Sequence, residues 1–248
     1  MELALESPFY LTEELHCLVD YDFLLAHLVL QSEFYATFYT KSTNFKILDN
    51  STNELGSPMS LLDIQQAANI VQPDYVCSPD YLGDAQRTLH AVRETCNKFS
   101  RGRILPIVQG STIEEVTTFL EILKFEEDFD RVAIPYDILC SKGSSLEEMS
   151  EARSCVVSQA VDDDFGWIHL LGMNSIDELQ SYKDYSAVQS IDTGSPITNG
   201  LDDRRFGIDE QLPKTVFLNF DSLKGRDLGP VYYNIAVLRR EILQHNLD

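Results

Sequence analysis

The sequence predicts an α/β fold, specifically a single-domain (β/α)8 TIM-type barrel, on three observations. Short β-branched or apolar runs alternate with longer stretches of helical periodicity, which implies parallel strands covered by helices. Eight such units in 248 residues give about 31 residues per unit, the size of a barrel repeat. No Pro/Gly-rich linker or low-complexity tract divides the chain, so residues 1–248 read as one domain. An open doubly wound sheet is the competing architecture, but no glycine-rich dinucleotide fingerprint follows any strand.

In chain order, the first strand is expected at Phe23 to Leu28, inside the apolar stretch from Cys17 to Leu30. The others are expected at Lys46 to Asp49, Asp74 to Ser78, Ile104 to Gln109, Arg131 to Pro135, Trp167 to Leu171, Ala187 to Asp192 and Thr215 to Asn219. Amphipathic periodicity predicts helices over Leu61 to Val71, Asp84 to Phe99, Ile113 to Phe125, Leu146 to Ala160, Ser175 to Tyr182 and Val231 to Leu243. Ser111 or Thr112 before Glu114 and Glu115, and Asn174 before Asp177 and Glu178, mark helix starts: a capping side chain followed by acidic residues in the first turn. A long polar loop is expected over residues 193–213, where glycine, proline, Asn199, Asp202 and Asp203 crowd together.

The charge balance is 19 Lys+Arg against 40 Asp+Glu, a net −21, with 44% hydrophobic residues. A chain of this length buries about 70–75% of its unfolded surface without needing staples, and disorder is not indicated. Five cysteines without a CxxC pair or a Cys/His cluster read as reduced thiols in a cytoplasmic setting, and a structural zinc is not expected. Glu2 and Glu6 stand where a signal peptide would be basic, and no apolar run is long enough to span a bilayer, so no membrane partner is expected. The net charge opposes nucleic-acid binding unless basic residues gather on one face. Two groups could do so: Arg204, Arg205, Lys214, Lys224, Arg226, Arg239 and Arg240, and Arg87, Arg93, Lys98, Arg101 and Arg103. Salt-paired helix faces look the same in sequence.

A barrel builds its site at the carboxyl ends of its strands, and here those ends are acidic and amide-rich. They deliver Asp49 and Asn50, Asp80, Gln109 and Gly110, Gly172, and Asp192. Three carboxylates and a carboxamide at one mouth could supply a nucleophile, a proton-transfer group and a planar hydrogen-bonding edge. Taken singly, a strand-end Asp reads as the cap of the next helix. Clustering on successive junctions argues for chemistry, and Asp192 stands far from any clear helix. His169, inside an apolar strand, reads as a hydrogen-bonded core residue more readily than as a catalyst. His27 reaches the mouth only if the first strand is correctly placed, and Tyr81 and Tyr136 follow strand ends where a ring can stack on a base.

The stretches Lys46-Ile47-Leu48-Asp49-Asn50, Val76-Cys77-Ser78-Pro79-Asp80, Ile107-Val108-Gln109-Gly110-Ser111, His169-Leu170-Leu171-Gly172-Met173 and Ser190-Ile191-Asp192 occur in a telling order. In order and rough spacing, the chain from about Lys46 to Asp192 resembles the tRNA-guanine transglycosylase barrel. It looks most like the shorter phage-borne relatives that act on DNA and insert 7-deazaguanine bases. The resemblance implies exchange of guanine in nucleic acid, DNA before tRNA, for a 7-deazaguanine base, without a cofactor. It implies a location in the host cytoplasm if the chain is phage-encoded. Asp192 matches the aspartate that attacks C1′ and holds the covalent ribosyl intermediate, and Asp49 matches the acid/base aspartate. Asp80 matches the acceptor for guanine N1–H and the exocyclic amine, while Gln109 and the Gly110 backbone match the groups reading the other edge. Asn50 and Gly172, within the same motifs, join them as candidate substrate-binding residues. Arg204, Arg205 and Lys214 are the candidate nucleic-acid contacts.

Departures from the pattern bear on this expectation. No cysteine follows Cys155, so the zinc-binding subdomain of the tRNA enzymes has no counterpart, and no RNA-binding domain fits the remaining length. Ile134-Pro135-Tyr136-Asp137 replaces the family's glycine-rich turn. The main rival is a catalytically silent barrel that binds a base or partners an active subunit; a homodimer is also open. Asp192-Thr193-Gly194-Ser195 spells the aspartic-protease tetrapeptide, but that chemistry needs two such aspartates in an all-β fold.

Overall fold

In the computed structural model, residues 1–139, 144–173, 175–211 and 227–245 are described. Among them, eight strands alternate with helices, and about half of the residues are helical. The strands are β1 (Glu2–Leu5), β2 (Asp22–Leu25), β3 (Lys46–Asp49), β4 (Tyr75–Cys77), β5 (Ile104–Leu105), β6 (Arg131–Pro135), β7 (Trp167–Leu171) and β8 (Val188–Thr193). The helices are α1 (Thr12–Leu15), α2 (Ala26–Gln31), α3 (Glu33–Lys41), α4 (Thr52–Leu55), α5 (Leu61–Val71), α6 (Ala85–Cys96), α7 (Ile113–Glu121), α8 (Leu146–Asp162), α9 (Ser195–Leu201) and α10 (Gly229–His245).

Every pairing is parallel, in two four-stranded sheets ordered β1-β8-β7-β6 and β2-β3-β4-β5. Beyond β5, Ile107 bridges Ala133 of β6, with Val108 N donating to Ala133 O at 3.1 Å and Ala133 N to Pro106 O at 2.8 Å. At the other margin, Asp20 N donates to Leu3 O at 2.8 Å and Leu3 N to the Asp20 carboxylate at 2.9 Å. The register sets Leu25 beside Asp49 and Leu171 beside Asp192, so both aspartates end their strands at the carboxyl side.

Both faces of the strands are buried, as parallel strands require. On the helix side, Val116, Phe119 and Leu120 of α7 and Val156, Val157 and Ala160 of α8 pack with Val132 and Ile134 of β6 and Ile168 and Leu170 of β7. Leu24, Leu48 and Val76 pack under α2, α3 and α5. The alternate positions Phe23, Ile47, Cys77 and Leu105 meet Ala4 and Ala133 from the other sheet in one further cluster. Each large side chain so buried contributes about 1.5–3 kcal/mol.

Several expectations are corrected. The first predicted strand ends at Leu25, because Ala26–Gln31 turns helical within the same apolar run. An unforeseen strand, Glu2–Leu5, precedes it, so Asp192 ends the eighth described strand, not the seventh. The predicted loop over 193–213 contains α9, begun by Pro196 in its first turn, where the fixed φ of proline suits a helix. Of the two alternative caps before α7, Thr112 is used, its Oγ1 accepting from Glu115 N at 3.2 Å. The Ser175 to Tyr182 helix is a 3-10 helix over Asp177–Tyr182. The predicted strand Thr215 to Asn219, Asn174, Lys214, Lys224 and Arg226 lie outside the described residues. No helix of the described residues is long and apolar enough to cross a membrane.

Candidate active site

At the end of β3 the chain turns sharply. Ser51 adopts a left-handed backbone (φ 62°), and its N–H points back to Asp49 Oδ2 at 2.7 Å. A non-glycine residue held in this region costs about 1–3 kcal/mol, so packing must enforce it; Ser51 Oγ accepts from His27 N at 3.2 Å. Asn50 reaches sideways, with Nδ2 donating to Ser78 O at 2.7 Å and to Asp80 Oδ1 at 3.0 Å, while its Oδ1 accepts from Thr52 N at 2.8 Å and from the Thr52 hydroxyl. Gln109 Nε2 donates to the second Asp80 oxygen at 2.6 Å, and Gln109 Oε1 accepts from Gly83 N at 3.3 Å. Asp49, Asn50, Asp80 and Gln109 thus form a buried carboxylate and carboxamide array along one sheet.

Burial pushes the Asp49 carboxyl well above its ordinary 3.8, reinforced by the Glu54, Asp80 and Asp192 carboxylates; the Ser51 N–H only partly opposes this. Burial also raises Asp80, against the donors Gln109, Asn50 and Thr52.

The end of β8 is built differently. Asp192 Oδ1 lies 3.1 Å from His169 Nε2 and accepts from Gly172 N at 3.1 Å, with His169 and Asp192 fully buried. With its proton on Nε2, the imidazole joins the Gly172 N–H as a second donor suited to an ionised carboxylate, which is an acceptor only. Gly172 has φ 74°, the left-handed region that favours glycine. Its carbonyl accepts from Arg153 Nη1 at 2.9 Å, so the Gly172 peptide is gripped at both ends.

These strand ends open on one narrow cleft with an internal volume of about 40 Å³. Glu6, Asp49, Glu54, Asp80, Asp137 and Asp192 supply its carboxylates, with Asn50, Asn53, Gln109 and Tyr136 among the other polar lining and Phe23, Leu25 and Leu171 among the apolar. No Lys or Arg among the described residues lines it. No group of His, Cys, Asp or Glu among the described residues is arranged to hold a metal ion.

No family model matches this chain, and no curated protein matches it significantly.

Of the residues singled out from sequence, Asp49, Asn50, Asp80, Gln109 and Asp192 line the cleft together. Gly110 and Gly172 do not. Gly110 is explained by packing, since a Cβ there would lie 2.7 Å from Val116 Cγ2. Asp192 is only three residues from α9, contrary to expectation, yet the cap position belongs to Gly194.

Tyr136 lines the cleft, whereas Tyr81 lies outside it under the Arg87 guanidinium at 3.7 Å. His27 sits in α2, off the cleft. Among the described residues, most of the basic side chains are engaged. Arg204 Nη1 donates to Glu210 O at 2.8 Å, Arg239 grips Leu18 O and Asp20, and Arg93 and Arg101 pair with Glu127.

Sequence reasoning missed Arg153, Ser190, and the lining carboxylates Glu6, Glu54 and Asp137. Glu6 and Asp137 each follow a strand end within two residues, a signal that could have found them.

Proposed function

We propose that this chain is a closed (β/α)8 barrel and a pentosyltransferase that exchanges guanine in nucleic acid for a 7-deazaguanine base. Closure is supported by the Ile107–Ala133 bridge at one sheet margin, the Leu3–Asp20 hydrogen bonds at the other, and the side-chain cluster drawn from both sheets. The activity is carried by one observation: Asp49 and Asp192, from different sheets, line the same cleft in contrasting surroundings.

In the proposed reaction Asp192 attacks C1′ as a carboxylate, and the C1′–N9 bond breaks with its electron pair leaving on guanine. Protonated Asp49 gives its proton to the departing base. The incoming 7-deazaguanine returns a proton to Asp49 as its ring nitrogen displaces Asp192 from C1′. Asp80 and Gln109 bind the base edges, and the target nucleotide must leave its stack to reach them. DNA is proposed ahead of tRNA because no cysteine follows Cys155 to build the zinc site of the tRNA enzymes.

The test is nucleoside mass spectrometry after incubating the protein with DNA or tRNA and 7-deazaguanine bases, with denaturing gels for a covalent adduct. Base incorporation and an adduct on guanine-containing DNA are expected. Asp192→Ala should abolish the adduct and lower turnover by more than about 10³-fold. One observation favours a second reading, a silent base-binding or partner subunit: a cleft lined by carboxylates and no cation would repel phosphates. Base binding by the wild type without adduct or incorporation on either nucleic acid would establish that reading instead.

A further inference from the structure

Behind Asp192 lies a buried chain of hydrogen bonds. Trp167 Nε1 meets Ser190 Oγ at 2.8 Å, Ser190 Oγ meets His169 Nδ1 at 2.9 Å, and His169 Nε2 meets Asp192 Oδ1 at 3.1 Å. An indole N–H only donates, so Ser190 Oγ accepts from Trp167 and has its single proton for His169 Nδ1. The proposed nucleophile is a carboxylate, which only accepts, and that places the imidazole proton on Nε2, directed at Asp192. The opposite tautomer would turn a nitrogen lone pair toward a carboxylate oxygen.

The ring has little freedom to turn. It stacks on Phe23 with centroids 5.6 Å apart at 19°, and Tyr21 stands edge-on at 6.3 Å and 77°.

An irregularity in the sheet creates this chain. Ile168 pairs with Val188 but His169 pairs with Ser190, so β8 holds one extra residue, Gln189, against β7. A slip of one residue exchanges the faces of a strand. Without the bulge His169 would stand beside Gln189; with it, Ser190 and Asp192 share the face of His169 and Leu171. Bulges beside active sites commonly re-aim a side chain in this way. Gln189 is turned outward, where its Nε2 donates to Gly166 O at 2.7 Å.

We propose that His169, oriented by Ser190 and Trp167 across the β8 bulge, is a positioning residue that holds the Asp192 carboxylate through Nε2–H in its attacking pose. The inference rests on the reading of Asp192 as the nucleophile. His169 is neither acid nor base in it, and Asp49 keeps the proton-transfer role.

The experiment compares His169→Phe, His169→Gln and Ser190→Ala with the wild type in single-turnover adduct formation on guanine-containing DNA, alongside affinity for a 7-deazaguanine base. His169→Phe should slow adduct formation about 10- to 100-fold, the range for one hydrogen bond to a charged group. Base affinity, set by Asp80 and Gln109, should change by less than about threefold, the pattern of an interaction made only in the transition state. His169→Gln should recover much of the rate because its amide keeps an N–H near Asp192, and Ser190→Ala should fall between. Adduct formation by His169→Phe within threefold of wild type, or no rescue by glutamine in a protein of unchanged melting temperature, would overturn the proposal.

A readout independent of activity is nitrogen NMR of protein labelled at its five histidines. It should show one buried imidazole protonated at Nε2 alone and shifted by Asp192→Asn. A proton on Nδ1 would overturn the proposal whatever the activity. A wild type without any adduct but with the expected tautomer would sink the transglycosylase reading while leaving the His169–Asp192 contact in place.

Discussion

Asp49 and Asp192 end strands of different sheets, face one cleft, and meet opposite surroundings. On the β2–β5 side the carboxyl is crowded by Glu54, Asp80 and Asp192 and receives one backbone N–H, so burial and like charge keep its proton on. On the β1-β8-β7-β6 side the carboxylate receives an imidazole N–H and a glycine N–H, and behind that glycine stands the Arg153 guanidinium. In the proposed reaction the same functional group transfers a proton in one sheet and attacks as nucleophile in the other. The amides follow the same division: Asn50 and Gln109 both donate to Asp80, whereas among the described residues no side-chain amide bonds to Asp192.

Asp49→Asn gives the sharpest break in that contrast. Loss of a general acid/base costs about 10² to 10⁴ in rate, and a substrate whose departing base needs no proton should escape most of the loss. Wild-type turnover should fall as pH rises through the elevated Asp49 value, and the variant should lose that limb. Stability carries the same sign. A carboxyl raised in the folded state contributes stability that is complete below its ordinary 3.8 and is lost as pH rises through the folded value. Denaturant titrations across pH should therefore show Asp49→Asn gaining on the wild type as pH increases. A residual slope from Asp80, which is shifted in the same direction, should remain.

On the other sheet the comparison turns on Arg153. Arg153 and Glu178 are buried to 0% and 1% exposure and pair at 3.2 Å, while Tyr182 donates its hydroxyl to Glu178 and Arg153 also donates to Ile134 O and Gly172 O. Arg153→Met should cost about 3–5 kcal/mol by leaving Glu178 without its cation. At about 2–4 °C per kcal/mol for a chain of this size, the melting temperature should drop clearly. Adding Glu178→Gln should restore much of the loss. If the double variant melts normally yet forms adduct slowly, the guanidinium matters to Asp192 through the Gly172 peptide. If adduct formation also recovers, the Gly172 peptide holds Asp192 without it.

The strands Lys46–Asp49, Arg131–Pro135 and Trp167–Leu171 were readable to the residue because apolar runs there are bounded by charge or turn residues. Glu2–Leu5 was not, since four residues flanked by glutamates carry no period. The first strand was expected to run from Phe23 to Leu28 because a short apolar stretch does not distinguish strand from helix; the chain changes form at Ala26. Pro196, Asn199 and Gly200 suggested a loop, yet Pro196 begins α9 and Asn199 Nδ2 bonds back to Ser195 O at 3.0 Å. In the site, Asp49, Asp80, Gln109 and Asp192 were legible because strand ends fix where side chains go. Arg153 was not, because an arginine in the middle of an amphipathic helix looks like a solvated one. The contact of His169 with Asp192 depends on one extra residue in β8, a register detail that no periodicity encodes.

The smallest effect is expected at Arg204 and Arg205, the nucleic-acid contacts expected from sequence. Arg204 already spends a donor on Glu210 O, and the backbone at Arg205 is tied to the Asp209 carboxylate at 2.8 Å, in a chain of net charge −21. An arginine that already spends a donor within the chain, or stands beside a carboxylate, gains less from a phosphate. Each phosphate a protein neutralises on duplex DNA adds about 0.9 to the slope of log affinity against log salt. The double variant Arg204→Ala/Arg205→Ala should therefore leave that slope within about 0.3 of wild type, where two phosphate contacts would remove about 1.8. The measurement is DNA affinity by anisotropy at several salt concentrations. A steep loss would place a nucleic-acid contact on the segment that follows α9, next in the chain after the strand that carries Asp192.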